Sequence, residues 1–320
     1  MKATLTVLST LAVLFFYLNS VYAIEPTREA VELIENGYVP GITVHVESSE
    51  EKGVNGLATC QIQKIRIEAK DPIEDQLSHI GARLYQPRIF GQMNPNSKAV
   101  IVLPPLGGTT PLEDAYSLGF CAFGFRAVAL EYWTPNSRNE FDLKAHDRQA
   151  VRAVTAVRRL IELIAPTRKN QVGVLGTSAG AIMGALALGV DSRLGAGVLI
   201  AGGGDLPEIF TTSTEPGIQR LRQKRMKRYG FKSLEEYYLA LKQNIRIDPV
   251  QFARFSGPKR VLTILAENDT VVPTSTQWAL YEAFGKQELI RINSSHELTI
   301  ARAAVIHHRD ILTFLDANLE

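Results

Sequence analysis

Two periods of apolar residues divide the chain. From Gln61 to Ala69 and from His79 to Pro87, apolar and polar residues alternate, which predicts half-exposed antiparallel strands joined by a polar link around Asp71 and Pro72. From Ala99 onward the alternation stops. Ala99 to Leu103, Arg126 to Leu130, Val172 to Leu175, Ala196 to Ala201 and Val261 to Leu265 are short, almost unbroken apolar runs, as expected of strands covered on both faces. Helical spacing fills the intervals at Leu112 to Phe123, Ala145 to Ile164 and Ala181 to Gly189. In the longest of these, Ala150, Val154, Val157, Leu160 and Ile161 form one face, with arginines on the other. A helix over Thr274 to Phe284, a strand over Glu288 to Ile292 and one amphipathic helix over Leu298 to Leu319 complete the series.

Strands alternating with helices imply an α/β fold with a mainly parallel sheet, its ligands bound at the carboxyl ends of the strands. The alternation lapses between Gly202 and Pro258. That stretch is more polar and helical, with one helix from Pro216 through Met226 and another over Leu234 to Gln243, and it reads as a cap inserted at about 203–257. Pro26 to Gly37 carries a short helical pattern with Ala30, Leu33 and Ile34 on one face, and Val39 to Ala58 reads as extended lead-in and loop. No internal repeat or low-complexity segment is evident.

Composition changes this picture little, and the first residues change it more. With 320 residues, 45% hydrophobic content and a net charge of +2, the chain can bury a full core and does not call for nucleic acid as a partner. Lys2, the apolar run Leu5 to Leu18 and the small residue ending Val21-Tyr22-Ala23 have the layout of a secretory signal peptide cut after Ala23. The run falls short of the roughly 18 to 20 residues of a spanning helix. The expected organisation is a signal peptide at 1–23, a lead-in at 24–60 and one α/β domain at 61–320, exported to a periplasm or secreted. The two cysteines, Cys60 and Cys121, could pair in an oxidising compartment, but a domain of this size needs no staple and two buried thiols are the expectation.

The chemistry centres on Gln171-Val-Gly-Val-Leu-Gly-Thr-Ser-Ala-Gly180, where a buried strand delivers Ser178 inside a G-x-S-x-G pattern and a helix follows. A Ser hydroxyl needs a general base, and the base an orienting carboxylate. Of the six histidines, His296 stands in a loop after a buried strand, whereas His307 and His308 fall inside the terminal helix and His45, His79 and His146 read as structural or solvated. Asp269 follows the strand Val261 to Leu265 and is the candidate carboxylate; Glu267, two residues away, is its competitor. Asp205 and Asp248 border the insertion and would serve only with a different topology.

The order Ser178, Asp269, His296, each on a strand-to-helix loop, resembles the α/β-hydrolase superfamily. The resemblance covers Gln61 to the end and rests on Gly176-Thr-Ser-Ala-Gly180, Glu267-Asn-Asp-Thr-Val-Val-Pro273 and Ser295-His296-Glu297. It implies a mostly parallel eight-stranded sheet, its second strand antiparallel, covered by helices on both faces. It also implies an oxyanion hole made by the backbone N–H of Ala179 and by one from the loop Leu103-Pro-Pro-Leu-Gly-Gly-Thr-Thr110. Pro104 and Pro105 carry no N–H, so Leu106 is the first donor available there and Gly107 the alternative. Tyr132 and Trp133 could line a substrate pocket or pack beneath the loop.

The resulting expectation is an exported serine hydrolase that cleaves a carboxylic ester, small or lipid-like, without metal or organic cofactor. A membrane surface is compatible with this but not called for, and the sequence fixes no oligomeric state. The basic run Arg220 to Arg228 reads as a solvated helix face, or as cations facing the cleft that favour acidic substrates. The alternatives are a peptidase or amidase of prolyl-oligopeptidase type, for which the segment before Gln61 is short, and a non-catalytic binding protein on the same fold.

Overall fold

In a computed structural model, which describes residues 25–55, 58–93, 97–132, 141–164, 171–255, 257 and 259–320, the elements follow the predicted alternation. In chain order they are α1 (Arg28–Asn36), β1 (Thr43–Asn55), β2 (Ala58–Lys70), β3 (Leu77–Ile89), β4 (Gln92–Met93), β5 (Ala99–Leu103), α2 (Pro111–Ala122) and β6 (Arg126–Tyr132). Then come α3 (Ala145–Ile164), β7 (Val172–Thr177), α4 (Ala179–Val190), β8 (Leu194–Ile200), α5 (Leu206–Thr212), α6 (Pro216–Tyr229), α7 (Leu234–Asn244) and α8 (Pro249–Phe252). β9 (Arg260–Ala266), α9 (Thr274–Ala283), β10 (Glu288–Ile292), α10 (His296–Val305) and α11 (His308–Asn318) end the chain.

The sheet runs β1-β2-β3-β6-β5-β7-β8-β9-β10, with β4 paired to β3. β6 through β10 along this path are parallel, while β1, β2 and β3 are joined antiparallel and β3 meets β6 antiparallel. Setting aside β1 and the two-residue β4 leaves eight strands with the second antiparallel. The expected count of eight is therefore corrected by two additions. β1 replaces part of the extended lead-in and loop expected over Val39 to Ala58; it lies at the sheet's margin with both faces largely exposed, so its pairing to β2 is carried by the backbone and leaves little apolar pattern.

Burial on both faces explains the unbroken apolar runs. Ala99, Ile101 and Leu103 of β5 point into a core shared with α3, α4 and α9, whereas Val100 and Val102 point into one shared with α2, α10 and α11. The helices between β8 and β9 make a smaller cluster, in which Leu206, Ile209, Tyr237, Leu241 and Ile245 close over Leu143 and Val272 of the body.

Three further expectations are corrected. The predicted terminal helix is two, broken at Ile306 and His307; the apolar period continues across the break, so periodicity could not show it. The α3 arginines are not a solvent face. Arg158 and Arg159 are buried, Arg158 against Glu35 and Asp191 and Arg159 against the Lys70 carbonyl and the Ser78 hydroxyl, while Arg152 pairs with Asp71 at 3.1 Å. Finally, Cys60 and Cys121 are joined in a disulfide that links β2 to α2, with their Cα atoms 6.1 Å apart. Two cysteines distant in sequence carry no sign of proximity until the α2–β2 packing is known. The signal peptide expected over residues 1–23 lies outside the described residues.

Candidate active site

Ser178 sits between β7 and α4 with φ 53° and ψ −117°, a conformation costly for a residue with a side chain, by about 1–3 kcal/mol. Its amide donates to the Ile200 carbonyl at 2.9 Å, which fixes the turn to the neighbouring strand. The flanking glycines make the turn possible through close approach. A Cβ on Gly176 would lie 2.3 Å from the Gly180 carbonyl oxygen, and one on Gly180 would lie 2.3 Å from the Leu103 carbonyl oxygen. The strand-to-helix turn thus presses against the loop that follows β5.

His296 opens α10 at the carboxyl end of β10, and Asp269 follows the carboxyl end of β9. The structure brings both to Ser178: His296 Nε2 lies 2.8 Å from Ser178 Oγ, and His296 Nδ1 lies 2.5 Å from Asp269 Oδ2. All three are buried, at 7%, 6% and 5% exposure for Ser178, His296 and Asp269. Asp269 is held from every side. Its Oδ1 accepts from the amides of Val271 at 2.8 Å and Val272 at 2.9 Å, and its Oδ2 also accepts from Gln277 Nε2 at 2.8 Å. Four donors around one carboxylate leave it a single orientation. Glu267 turns away to pair with Arg291, at 2.7 Å from Arg291 Nε.

The other histidines are elsewhere or otherwise engaged. His45 and His79 lie exposed on β1 and β3, His307 pairs with Asp310 at 2.8 Å, and His308 is exposed. His146 is the buried one of the three histidines read as structural or solvated: it is 6% exposed, stacks on Phe210 with ring centroids 3.8 Å apart, and lies 2.7 Å from Arg225 Nη1. Burial, with the cations of Arg225 and Arg148, holds its imidazole well below the ordinary histidine range. Asp205 and Asp248 meet at the start of α5, where Asp248 accepts from the amides of Asp205 and Leu206.

A cleft of about 600 Å³ opens at Ser178. Ala179, Leu106 and Gly107 border it, and Ala179 is the first residue of α4, where an amide has no acceptor within its own helix. Its walls are the faces of α3, α4, α5 and α6, mostly apolar, with Arg220 and Lys224 near the opening. The basic run is accordingly not one solvated face. Arg225 is fully buried, Arg222 donates to the carbonyls of Phe210, Thr211 and Ser213, Lys224 lies 4.9 Å from the Phe141 ring, and Arg220 borders the cleft. Trp133 and the Tyr132 side chain fall outside the described residues. Among the described residues, no group of three or more His, Cys, Asp or Glu side chains is arranged to hold a metal ion.

Two buried side chains support the site without a motif of their own. Gln277 of α9 is fully buried, and besides Asp269 it bonds the Val272 carbonyl at 2.8 Å and the Ala266 amide at 3.0 Å. Glu113, also fully buried, accepts from Thr110 Oγ1 at 2.6 Å and from Thr177 Oγ1 at 3.1 Å, tying the loop after β5 to the residue before Ser178. Thr110 and Glu113 form the capping box of α2, and Glu113 joins it to Thr177.

By sequence, the chain matches no protein-family model and no curated protein. Its fold is that of several solved esterases. An acetyl xylan esterase from a Paenibacillus species superposes with a TM-score of 0.65 at 15% identity, over 94% of this chain and 99% of that one. Another acetyl xylan esterase, from a Thermoanaerobacterium species, gives 0.65 at 15% identity over 91% and 94% of the two chains. A glucuronoyl esterase from Teredinibacter turnerae gives 0.55 at 14% identity over 90% and 82%. At such identities the likeness is one of fold.

Proposed function

We propose that this protein is an exported serine hydrolase that cleaves a carboxylic ester through an acyl-enzyme. The observation that carries the reading is the continuous chain from Ser178 Oγ through His296 to Asp269, at 2.8 Å and 2.5 Å, opening on a cleft. His296 Nε2 takes the hydroxyl proton as Ser178 Oγ attacks the acyl carbon, and Asp269 holds Nδ1–H and faces the imidazolium that forms. The amides of Ala179 and Leu106, or Gly107 in its place, stabilise the oxyanion. His296 then gives its proton to the departing alkoxide, and the alcohol leaves. Water, deprotonated by His296, attacks the acyl-enzyme and returns Ser178 with the free acid.

The helices α5 and α6, with α7 packed against them, act as the cap, since α5 and α6 wall the cleft at Ser178. The esterases that share the fold favour an ester over an amide. Export rests on the layout of residues 1–23 and fits the Cys60–Cys121 disulfide, because such bonds persist in oxidising compartments. Neither metal nor organic cofactor enters this scheme. The test is hydrolysis of p-nitrophenyl esters from acetate to decanoate. Wild type should turn over at least one of them, and Ser178→Ala should lower kcat by a factor on the order of 10³ or more. Equal rates for the two proteins would remove Ser178 from the mechanism.

A further inference from the structure

His146 and Ser178 border one cleft for a topological reason. α3 and α4 each follow a parallel strand and return antiparallel to it, so both begin at the carboxyl edge of the sheet. Ser178 precedes the first residue of α4 and His146 is the second residue of α3, and both border the cleft. From there His146, Gln149, Ala150 and Ala153 form one stripe of α3, facing Ile182, Met183 and Leu186 of α4 across largely apolar space.

The protonation of His146 follows from its partner. A guanidinium can only donate, so Arg225 Nη1, 2.7 Å away, requires an unprotonated Nε2, and the ring's one proton is on Nδ1. Arg225 is itself immobile: it is fully buried, and its Nη2 donates to the Asp142 carbonyl at 2.9 Å. The charges facing the ring are Arg225 from α6 and Arg148 from α3, with the neutral Tyr237 hydroxyl of α7 beside Arg225. Among the described residues none accepts from Nδ1, and His146 borders the cleft. Stacking on Phe210 fixes the ring plane. The result is a buried, rigid, neutral N–H donor lining the same mostly apolar cleft as Ser178.

We propose that His146 Nδ1–H is a specificity donor that selects esters bearing an acceptor oxygen, ether or carbonyl, in the part of the substrate that enters this cleft. An all-carbon chain that displaces water from Nδ1–H strands a buried donor, whereas an oxygen at the matching position satisfies it. The inference rests on Ser178 being the nucleophile. It concerns which ester is preferred, so the two can fail separately.

The experiment measures kcat/KM for p-nitrophenyl esters of equal chain length, one set all-carbon and one carrying an ether oxygen at successive positions. Wild type should prefer the ether at one position, by about threefold to tenfold after correction for uncatalysed reactivity. His146→Gln places an amide oxygen toward Arg225 and removes the Nδ1 donor, so that preference should vanish. His146→Asn, which restores a donor near the Nδ1 position, should recover part of it. A purely structural bolt between α3 and α6 would lower both rates in His146→Gln and leave their ratio untouched, and that result overturns the proposal. So does a wild type indifferent to oxygen at every position, a result that needs no variant to fold. A wild type inactive on every ester would instead refute the hydrolase reading on which the proposal stands.

Discussion

Ser178 combines a strained backbone with a hydroxyl bonded to His296, and the surrounding contacts hold the turn in place. Gly176 and Gly180 admit neighbouring carbonyls where no Cβ could fit, and the Ile200 carbonyl anchors the Ser178 amide. One position further out, Gln277 fixes Asp269 from the side opposite the backbone amides. Replacing it by Leu removes one donor from the carboxylate and leaves the buried Ala266 amide without its acceptor. We expect Gln277→Leu to lower kcat by about tenfold to a hundredfold, while Gln277→Glu, which keeps an acceptor for Ala266 but sets a second carboxyl against Asp269, shifts the pH profile of kcat/KM. A Gln277→Leu enzyme with wild-type kcat would show that the side chain only packs. Sequence could nominate Ser178, Asp269 and His296 because each follows an apolar strand. It could not nominate Gln277, Glu113 or His146, whose importance lies in contacts between elements that no spacing encodes.

At the scale of elements, the strands covered by helices were the most legible part of the chain. The apolar run at Ala99 to Leu103 and the helix at Ala145 to Ile164 have the predicted bounds, because burial on two faces or on one stripe leaves a strong pattern. β1 was illegible because its pairing is carried by the backbone, and α5 and α8 because seven and four residues are too few to show a helical period. The Cys60–Cys121 disulfide joins two of these elements across 61 residues of chain. Closing a loop of that size constrains the unfolded chain by about 4 kcal/mol in the chain-entropy model. Cys60→Ala with Cys121→Ala should therefore lower the stability read from urea unfolding by an amount approaching that figure, with the m-value raised. An unchanged midpoint would mean that the two thiols are not joined in the folded protein.

For the whole molecule, the carboxyl edge of one sheet gathers what the proposed chemistry needs: the elbow after β7, the acid after β9, the histidine after β10 and the loop after β5. α5 and α6 wall the cleft at that edge and α6 sets Arg225 against His146, so the proposed specificity donor and the proposed nucleophile border one cleft. The central claim is that Ser178 is an activated nucleophile, and covalent labelling by a fluorophosphonate tests it without any knowledge of the substrate. Intact mass should show one adduct on the folded wild-type protein, peptide mapping should place it on Ser178, and both Ser178→Ala and His296→Ala should stay unlabelled or nearly so. A folded wild type that resists the reagent, or an adduct placed on another residue, would contradict the account.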